Sequence, residues 1–401
     1  MVFSFVAANK EFFIFVALLS VFLYFRKKKV EVQGNFPLLY MLMYKTKLGL
    51  DKMDKWSKKY PKFYLYLAYI CIFIGVVGTV LTPIFMIWQL NFIAQNDISA
   101  GGGLVLPLKT DSGLEGAVPI FYVPFVEWII ALVILAVVHE FAHGVISERF
   151  NIGIKSSGFA FLGVIAPILP AAFVEPDEKQ LAKKPIWQQI AVFGAGSSSN
   201  FLFAIIFGLV LLFVAAPFLT STVEYGGLSF THVDNRSSLV DYDVDSGVIT
   251  HVNGIKDSND MLSFIGGLDN GSIVNLTIVD ENNMSNTYPV TVYGSQGKSM
   301  IGISGIDTVK TPVVGKEISY VIADKFYSVI FWIFFLNFGI GLMNLLPIWI
   351  TDGGQILRVS CSKLKSKKMA GIIYNVICWI CLISIIFTMY PSLMFKILSF
   401  F

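Results

Sequence analysis

Six long stretches of the chain are apolar and almost free of charge, and they limit the possible folds more than any other feature of the sequence. A helix of about 20 apolar residues crosses the hydrocarbon core of a membrane. Of the 401 residues, 55% are hydrophobic and 14% are charged, whereas soluble domains carry about 25% charged residues. The pattern predicts a polytopic α-helical membrane protein with about six transmembrane helices. The stretches are residues 12–25, 63–93, 119–146, 186–220, 326–350 and 369–395.

Composition changes along the chain and divides it into four regions. The first two stretches and a basic loop between them occupy residues 1–118, and the next two stretches occupy residues 119–221. Residues 222–316 are polar and rich in glycine, aspartate and asparagine, and their short alternating runs predict a small β-rich domain. Residues 317–401 hold the last two stretches. The sequence therefore predicts one soluble domain inserted into a chain that is otherwise embedded in a lipid bilayer.

Basic residues indicate how the predicted helices are oriented. Eleven lysines and arginines lie between residues 26 and 62, and cytoplasmic loops carry such an excess of positive charge. The first loop is therefore expected in the cytoplasm, so that the second stretch leads out and the third leads back. The net charge of +3 is small, and no basic segment is interleaved with aromatic residues, so the sequence does not favour nucleic-acid binding.

Two histidines lie near the end of the third stretch, in the sequence His139-Glu140-Phe141-Ala142-His143. Residues four apart share one side of a helix, so both imidazoles can bind one metal ion while Glu140 reaches a water bound to it. The alternative is that the two histidines only pack against neighbouring helices. Glu140 would then be a carboxylate at membrane depth without a function, which is unfavourable in free energy. The motif predicts a site for one Zn²⁺ ion, with His139 and His143 as ligands and Glu140 as the catalytic base.

A catalytic zinc site needs a third protein ligand, and Asp352 is the candidate. It follows the fifth apolar stretch and precedes Gly353 and Gly354. Taken alone, an Asp-Gly-Gly sequence after an apolar run is most often a turn. Its value as a ligand comes from its combination with the two histidines.

Residues 156–174 form a further uncharged segment that has two possible interpretations. A helix here would cross the membrane, but two glycines and two prolines interrupt the segment and favour strands and a turn. If the segment does not cross, Asp352 and the histidines approach the same, cytoplasmic side of the membrane, and residues 222–316 lie outside. We therefore expect residues 153–174 to form a membrane re-entrant β-hairpin, buried against protein because unpaired backbone is not tolerated in lipid.

Small residues dominate residues 194–200 in the fourth stretch. Close helix packing in lipid accounts for the glycines and serines. Asn200 is harder to explain, because a side-chain amide at this depth needs a partner, and either packing or a substrate group can supply one.

Three motifs of the chain occur together, and in the same order, in the site-2 protease family of intramembrane zinc metalloproteases. The chain resembles this family from about residue 120 to 360. Two positions depart from the family pattern, which often has proline where this chain has Ser197 and leucine where it has Thr351. The motifs are HEFAHG at residues 139–144, GxxxN at residues 196–200 and NLLPxxxxDGG at residues 344–354.

The resemblance implies roles for several parts of the chain. By this resemblance His139, His143 and Asp352 are the zinc ligands and Glu140 is the catalytic base. It also implies that Asn200 and Asn344 bind substrate and that residues 222–316 form a PDZ-like domain. Residues 173–178 are similar to a run common among archaeal members. The implied location is an archaeal cell membrane, with a multi-pass chain whose active site lies towards the cytoplasmic side and whose PDZ-like domain is extracytoplasmic.

The expected function is zinc-dependent hydrolysis of peptide bonds within transmembrane segments of single-span membrane-protein substrates, as in regulated intramembrane proteolysis. A transmembrane helix pairs its own main-chain groups, so the substrate must unwind, and the hairpin can receive it by strand addition. Phe159 and Phe161 are expected at the receiving edge. The rival class is a membrane metal protein without protease activity, such as a transporter or a catalytically silent homologue. A transporter would show further ionisable residues at membrane depth, and the sequence has few beyond this site.

Overall fold

The computed structural model describes residues 2–35, 39–96, 102–107, 120–164, 166–280, 284–295 and 298–398. Residue 119, where the third apolar stretch was expected to begin, lies outside the described residues. The chain forms two compact units. One consists of Met1–Leu211 together with Ser328–Phe401, and the other is Leu212–Tyr327.

The elements of the described residues comprise thirteen α-helices and fifteen strands, and short 3₁₀ or π turns join some of them. The helices are α1 Val2–Ala8, α2 Lys10–Phe25, α3 Leu50–Lys59, α4 Pro61–Asn96, α5 Phe125–Arg149, α6 Glu178–Ala182, α7 Ile186–Val210, α8 Ala216–Thr220, α9 Ser258–Gly266, α10 Glu317–Leu345, α11 Asp352–Cys361, α12 Lys367–Met389 and α13 Pro391–Leu398. The strands are β1 Val30–Asn35, β2 Leu39–Thr46, β3 Leu104–Leu106, β4 Ile120–Tyr122, β5 Ile154–Val164, β6 Ala166–Pro176, β7 Val223–Phe230, β8 His232–Val233, β9 Gly247–Val252, β10 Ile273–Val279, β11 Ser285–Thr291, β12 Tyr293–Ser295, β13 Lys298–Met300, β14 Ile303–Ser304 and β15 Asp307–Pro312.

Five helices in the described part of the chain are long and apolar enough to cross a membrane, one fewer than expected. The difference is α2, which has 16 residues and carries Lys10 and Glu11 in its first turn, whereas about 20 apolar residues are needed for a span. The multi-pass membrane architecture is nevertheless confirmed. The five segments are Pro61–Gln95, Phe125–Arg149, Ile186–Thr220, Glu317–Leu345 and Lys367–Met389.

The segment expected to form a hairpin is part of a larger antiparallel sheet in the first unit. Strands β5 and β6 pair with each other, and β5 also pairs with β2, which places Tyr44 opposite Phe159. The strand order is β1-β2-β5-β6. Strand β5 is therefore central, and β6 forms an edge that pairs with no further strand among the described residues. Strands β1 and β2 come from the basic loop and were not expected.

Helix α7 packs against α4, α5 and α11 in the first unit. Its contact with α4 is close because a Cβ atom at Gly194 would meet the main-chain oxygen of Cys71 without room for both. The small residues of α7 thus permit the two helices to approach each other closely, as in other membrane proteins. The consequence for the site is that α7 reaches the elements that carry the predicted metal ligands.

The second unit contains a five-stranded antiparallel sheet with the order β11-β10-β9-β7-β15. Alternate residues of β10, namely Val274, Leu276 and Ile278, are buried, as the period of two in a strand requires. They join a core that includes Met261 of α9. The polar region that the sequence indicates at residues 222–316 lies within this unit.

Candidate metal centre

The two histidines and Asp352 meet at one point. His139 and His143 lie on successive turns of α5, and Asp352 is the first residue of α11. The Nε2 atoms of the histidines are 3.1 Å apart. Oδ2 of Asp352 is 3.5 Å from Nε2 of His139, and Oδ1 is 3.5 Å from Nε2 of His143. Three potential ligand atoms therefore lie within 4.8 Å of one another.

These distances fit a metal ion of the size of zinc. Ligand atoms at about 2.0–2.1 Å from a tetrahedral ion are roughly 3.3 Å from each other, close to the separations between these three side chains. Gly196 provides the room, because a Cβ atom at this position would collide with Nε2 of both histidines. The donor set of two imidazoles and one carboxylate is also one that catalytic zinc sites use.

The chain between α10 and α11 places Asp352 at a helix N-terminus. The hydroxyl of Thr351 accepts a hydrogen bond from the Gly354 N–H at 3.2 Å and donates to the main-chain oxygen of Leu346 at 2.6 Å. It therefore caps α11. A Cβ atom at Gly353 would collide with the main-chain oxygen of Leu345. Thr351 and the glycine thus have local structural roles that leave the Asp352 carboxylate directed at the histidines.

Each histidine has a second contact through its other ring nitrogen, and both contacts come from α7. Nδ1 of His143 lies 2.7 Å from the main-chain oxygen of Val192, to which it can donate only if Nδ1 is protonated. Nδ1 of His139 lies 3.0 Å from the side-chain amide of Asn200. As placed, the atom of Asn200 nearest to this Nδ1 is the amide nitrogen, and the amide oxygen has no hydrogen bond in the described residues. Rotation of the amide by half a turn gives that oxygen a partner and makes Nδ1 of His139 the donor. Both Nε2 atoms are then free to bind metal.

Glu140 lies beside the cluster and contacts strand β6. One of its carboxylate oxygens, Oε2, accepts a hydrogen bond from the Val174 N–H at 2.7 Å. The contact joins the proposed base to the edge of the sheet. It follows from the fold of β6 next to α5 and is not visible in the HEFAH motif.

A cavity of about 830 Å³ opens onto the cluster. Its lining includes His139, Glu140, His143, Asp352 and Asn344, together with residues 170–176 of β6. Asn344, which was expected to contact substrate, is thus placed in the cavity. Asn200, which was also expected to bind substrate, has no exposed surface, and its side-chain amide contacts His139.

Phe159 and Phe161 do not lie where a substrate strand could pair with them. Both are on β5, which is paired on both sides, and neither lines the cavity. The strand with a free edge at the cavity is β6. Pro170 and Pro176 were a sequence signal for this arrangement, because proline within a sheet is confined to edge strands or strand ends.

Comparison with known proteins agrees with the geometry. The model of peptidase family M50 matches residues 127–388, which is more than half of the chain. The uncharacterized protein MJ0971 of Methanocaldococcus jannaschii is 26% identical over 373 residues, which cover 90% of this chain and 88% of that protein. The matched range contains both histidines and Asp352. The resemblance inferred from the three motifs is therefore confirmed, and the chain belongs to peptidase family M50, the site-2 protease family of membrane metallopeptidases.

Proposed function

We propose that this protein is an intramembrane zinc metalloendopeptidase that cleaves the transmembrane segments of single-span membrane proteins in regulated intramembrane proteolysis. The observation that carries the proposal is that Asp352 meets His139 and His143, which lie with Glu140 on a helix of membrane-spanning length. Ionisable groups at this depth are costly and indicate function. A metal site that only stabilised the fold would not require the adjacent carboxylate or the cavity.

His139, His143 and Asp352 would hold one zinc ion, which when bound lowers the pKa of a water molecule and polarises the scissile carbonyl. A carboxylate oxygen of Glu140 takes a proton from the attacking water and later gives it to the leaving amine. The Val174 N–H fixes the position of this carboxylate through its bond to Oε2. The amide of Asn344, in the cavity, is a candidate donor to the substrate carbonyl.

The free edge of β6 is the proposed docking site for the unwound substrate. In an antiparallel sheet the main-chain groups of alternate residues point to the same side. Since the Val174 N–H points to Glu140, Ala172 and Pro170 also present their main-chain groups away from β5. Pro170 and Pro176 have no N–H, so Ala172 supplies the one uncommitted donor between them. A substrate strand paired with Ala172 lies next to Glu140 and the metal ligands.

The direct test is the position of the cut. The full-length chain in detergent with zinc is expected to cleave a single-span membrane protein tagged at both ends, and mass spectrometry of the products should locate the new termini within the apolar segment. Exposed loops of the substrate should stay intact. Cleavage confined to such loops, or no cleavage of several single-span substrates, would contradict the proposal.

The proposed topology follows from the charges of the sequence. The basic loop at residues 26–62 lies in the cytoplasm, the active site lies towards that side, and the PDZ-like residues 222–316 lie outside an archaeal cell membrane. The absence of a helix at β5 and β6 supports this order, since these strands do not add a helical crossing. Their membrane-re-entrant position is part of the proposal.

Cysteine labelling can test this orientation because all four native cysteines are buried. A membrane-impermeant thiol reagent added to intact cells is expected to label Asp245→Cys in the second unit and to spare Lys365→Cys until the cells are lysed. Both positions are exposed. Labelling in the reverse order would overturn the topology.

A further inference from the structure

Helix α7 contacts all three predicted metal ligands, one contact for each. The main-chain oxygen of Val192 faces His143 and the amide of Asn200 faces His139. The hydroxyl of Ser197 donates to Oδ2 of Asp352 at 3.0 Å. We propose that Ser197 is a positioning residue, which fixes the Asp352 carboxylate in the orientation that binds the metal ion. This inference rests on the proposed metal site.

Burial strengthens the hydrogen bond between Ser197 and Asp352. Ser197 has no exposed surface, and the side chain of Asp352 is 15% exposed. Water therefore competes poorly for the carboxylate oxygen, and a hydrogen bond to a charged group in such a setting is stronger than one between neutral groups. The bond holds one rotamer of Asp352, with its two oxygens turned towards the two histidines at 3.5 Å each.

The geometry leaves Asp352 dependent on this single side-chain donor. Apart from the histidines, Ser197 is the one described side chain with a hydrogen bond to the carboxylate. Both histidines lie within the 25-residue helix α5, well before its end, so its backbone fixes their positions. Asp352 is instead the first residue of a ten-residue helix that follows an irregular connection. A proline at position 197, which the family pattern often has, carries no donor and could not make the contact. The Ser197 bond is therefore a feature of this chain.

The test compares the zinc affinity of the full-length chain in detergent with that of two serine variants, by competition with a chelator. Ser197→Ala is expected to weaken binding by about 10- to 100-fold, the range found when a hydrogen-bond partner of a metal ligand is removed. Ser198→Ala is the matched control, because Ser198 is the next residue, is also buried, and makes no hydrogen bond to the three ligands. Its affinity is expected to stay within about twofold of the wild type.

A double-mutant cycle separates positioning from a general loss of packing. In an Asp352→Ala background, Ser197→Ala should cause no further loss of affinity, because the group that Ser197 orients is gone. Both variants should still fold without zinc, as a cooperative thermal unfolding transition of each shows, so that a loss of affinity in Ser197→Ala is not a loss of the fold. Equal affinities of Ser197→Ala and the wild type, or an equal loss in both Asp352 backgrounds, would overturn the positioning role.

The same measurements distinguish this inference from the proposed function. If Asp352→Ala binds zinc as tightly as the wild type, the metal site itself is wrong and the proposed function fails with it. If Asp352→Ala loses zinc while Ser197→Ala keeps it, the metal site stands and only the role of Ser197 is rejected.

Discussion

Replacement of Glu140 by glutamine is expected to slow cleavage of a single-span membrane substrate by roughly 10²- to 10⁴-fold, the usual contribution of a general acid–base group. Glutamine has nearly the same shape, and its amide oxygen can still accept the hydrogen bond from the Val174 N–H that Glu140 accepts at 2.7 Å. It cannot take a proton from water near neutral pH. The fold and the three metal ligands should therefore be intact while the chemical step is lost. Product formation over time in detergent, with the zinc content of each sample measured in parallel, checks this expectation.

Glu148→Gln provides the matched control, since it makes the same substitution on the same helix, α5, away from the ligands. Its cleavage rate should stay close to that of the wild type. Retained cleavage by Glu140→Gln would reject the assignment of the base. Zinc binding without cleavage of any membrane substrate by the wild type would instead favour the rival class, a metal-binding membrane protein without protease activity.

The second large effect is expected from Ala172→Pro at the edge of the sheet. The substitution removes the one uncommitted N–H donor between Pro170 and Pro176, and an unmade hydrogen bond in a buried setting costs about 1–3 kcal/mol, or roughly 5- to 150-fold in rate. The sheet should tolerate the change because the Ala172 N–H points away from β5, as the ring of Pro170 already does two residues earlier. Cleavage of a membrane substrate should fall while zinc remains bound.

Ala172→Val serves as the control for Ala172→Pro. Valine keeps the N–H and favours the strand conformation, so the variant should cleave at nearly the wild-type rate. If Ala172→Pro cleaves the substrate as fast as the wild type, strand addition at β6 is not part of the mechanism. Proline at Phe159 or Phe161 is a poorer test, because both residues lie in the central strand and the substitution would break the sheet itself.

The cluster of His139, His143 and Asp352 was predictable from sequence because its geometry is local or strongly constrained. His139 and His143 are four residues apart on one helix. Asp352 follows another apolar stretch, which was expected to end on the same side of the membrane as the histidines. The long apolar helices were predictable for a similar reason, since lipid requires internal pairing of the backbone. Helix α2 was counted as a span although its 16 residues fall short of the required length.

Pairing between distant strands was not predictable from local pattern. The residues of β2 form an almost continuous apolar run, Leu39-Tyr40-Met41-Leu42-Met43, which lacks the alternation that indicates a strand with one exposed face. Its partner β5 lies more than a hundred residues later. Local pattern therefore predicted two strands where this sheet has four, and it placed the receiving edge on β5, which is paired on both sides.

Asn200 shows a second kind of limit. Its motif suggested contact with the substrate, but nothing in GxxxN says which face of the helix turns towards the two histidines. The structure shows that residues 192, 196 and 200, spaced by four, share the face of α7 that meets the histidines. Spacing identified a common face, and only the packing of α7 on α5 identified what that face contacts.

The prolines of β6 also disfavour pairing between the sheet edges of two copies of this protein. An open sheet edge is a general hazard, since two copies can pair edge to edge and aggregate. Two β6 edges brought together would each present Pro170 and Pro176 without donors, and each would keep the Val174 N–H committed to Glu140. A substrate strand with a full set of N–H groups supplies the donors that a second copy lacks. On the proposed mechanism, the β6 edge therefore pairs more favourably with an extended substrate strand than with the β6 edge of a second copy.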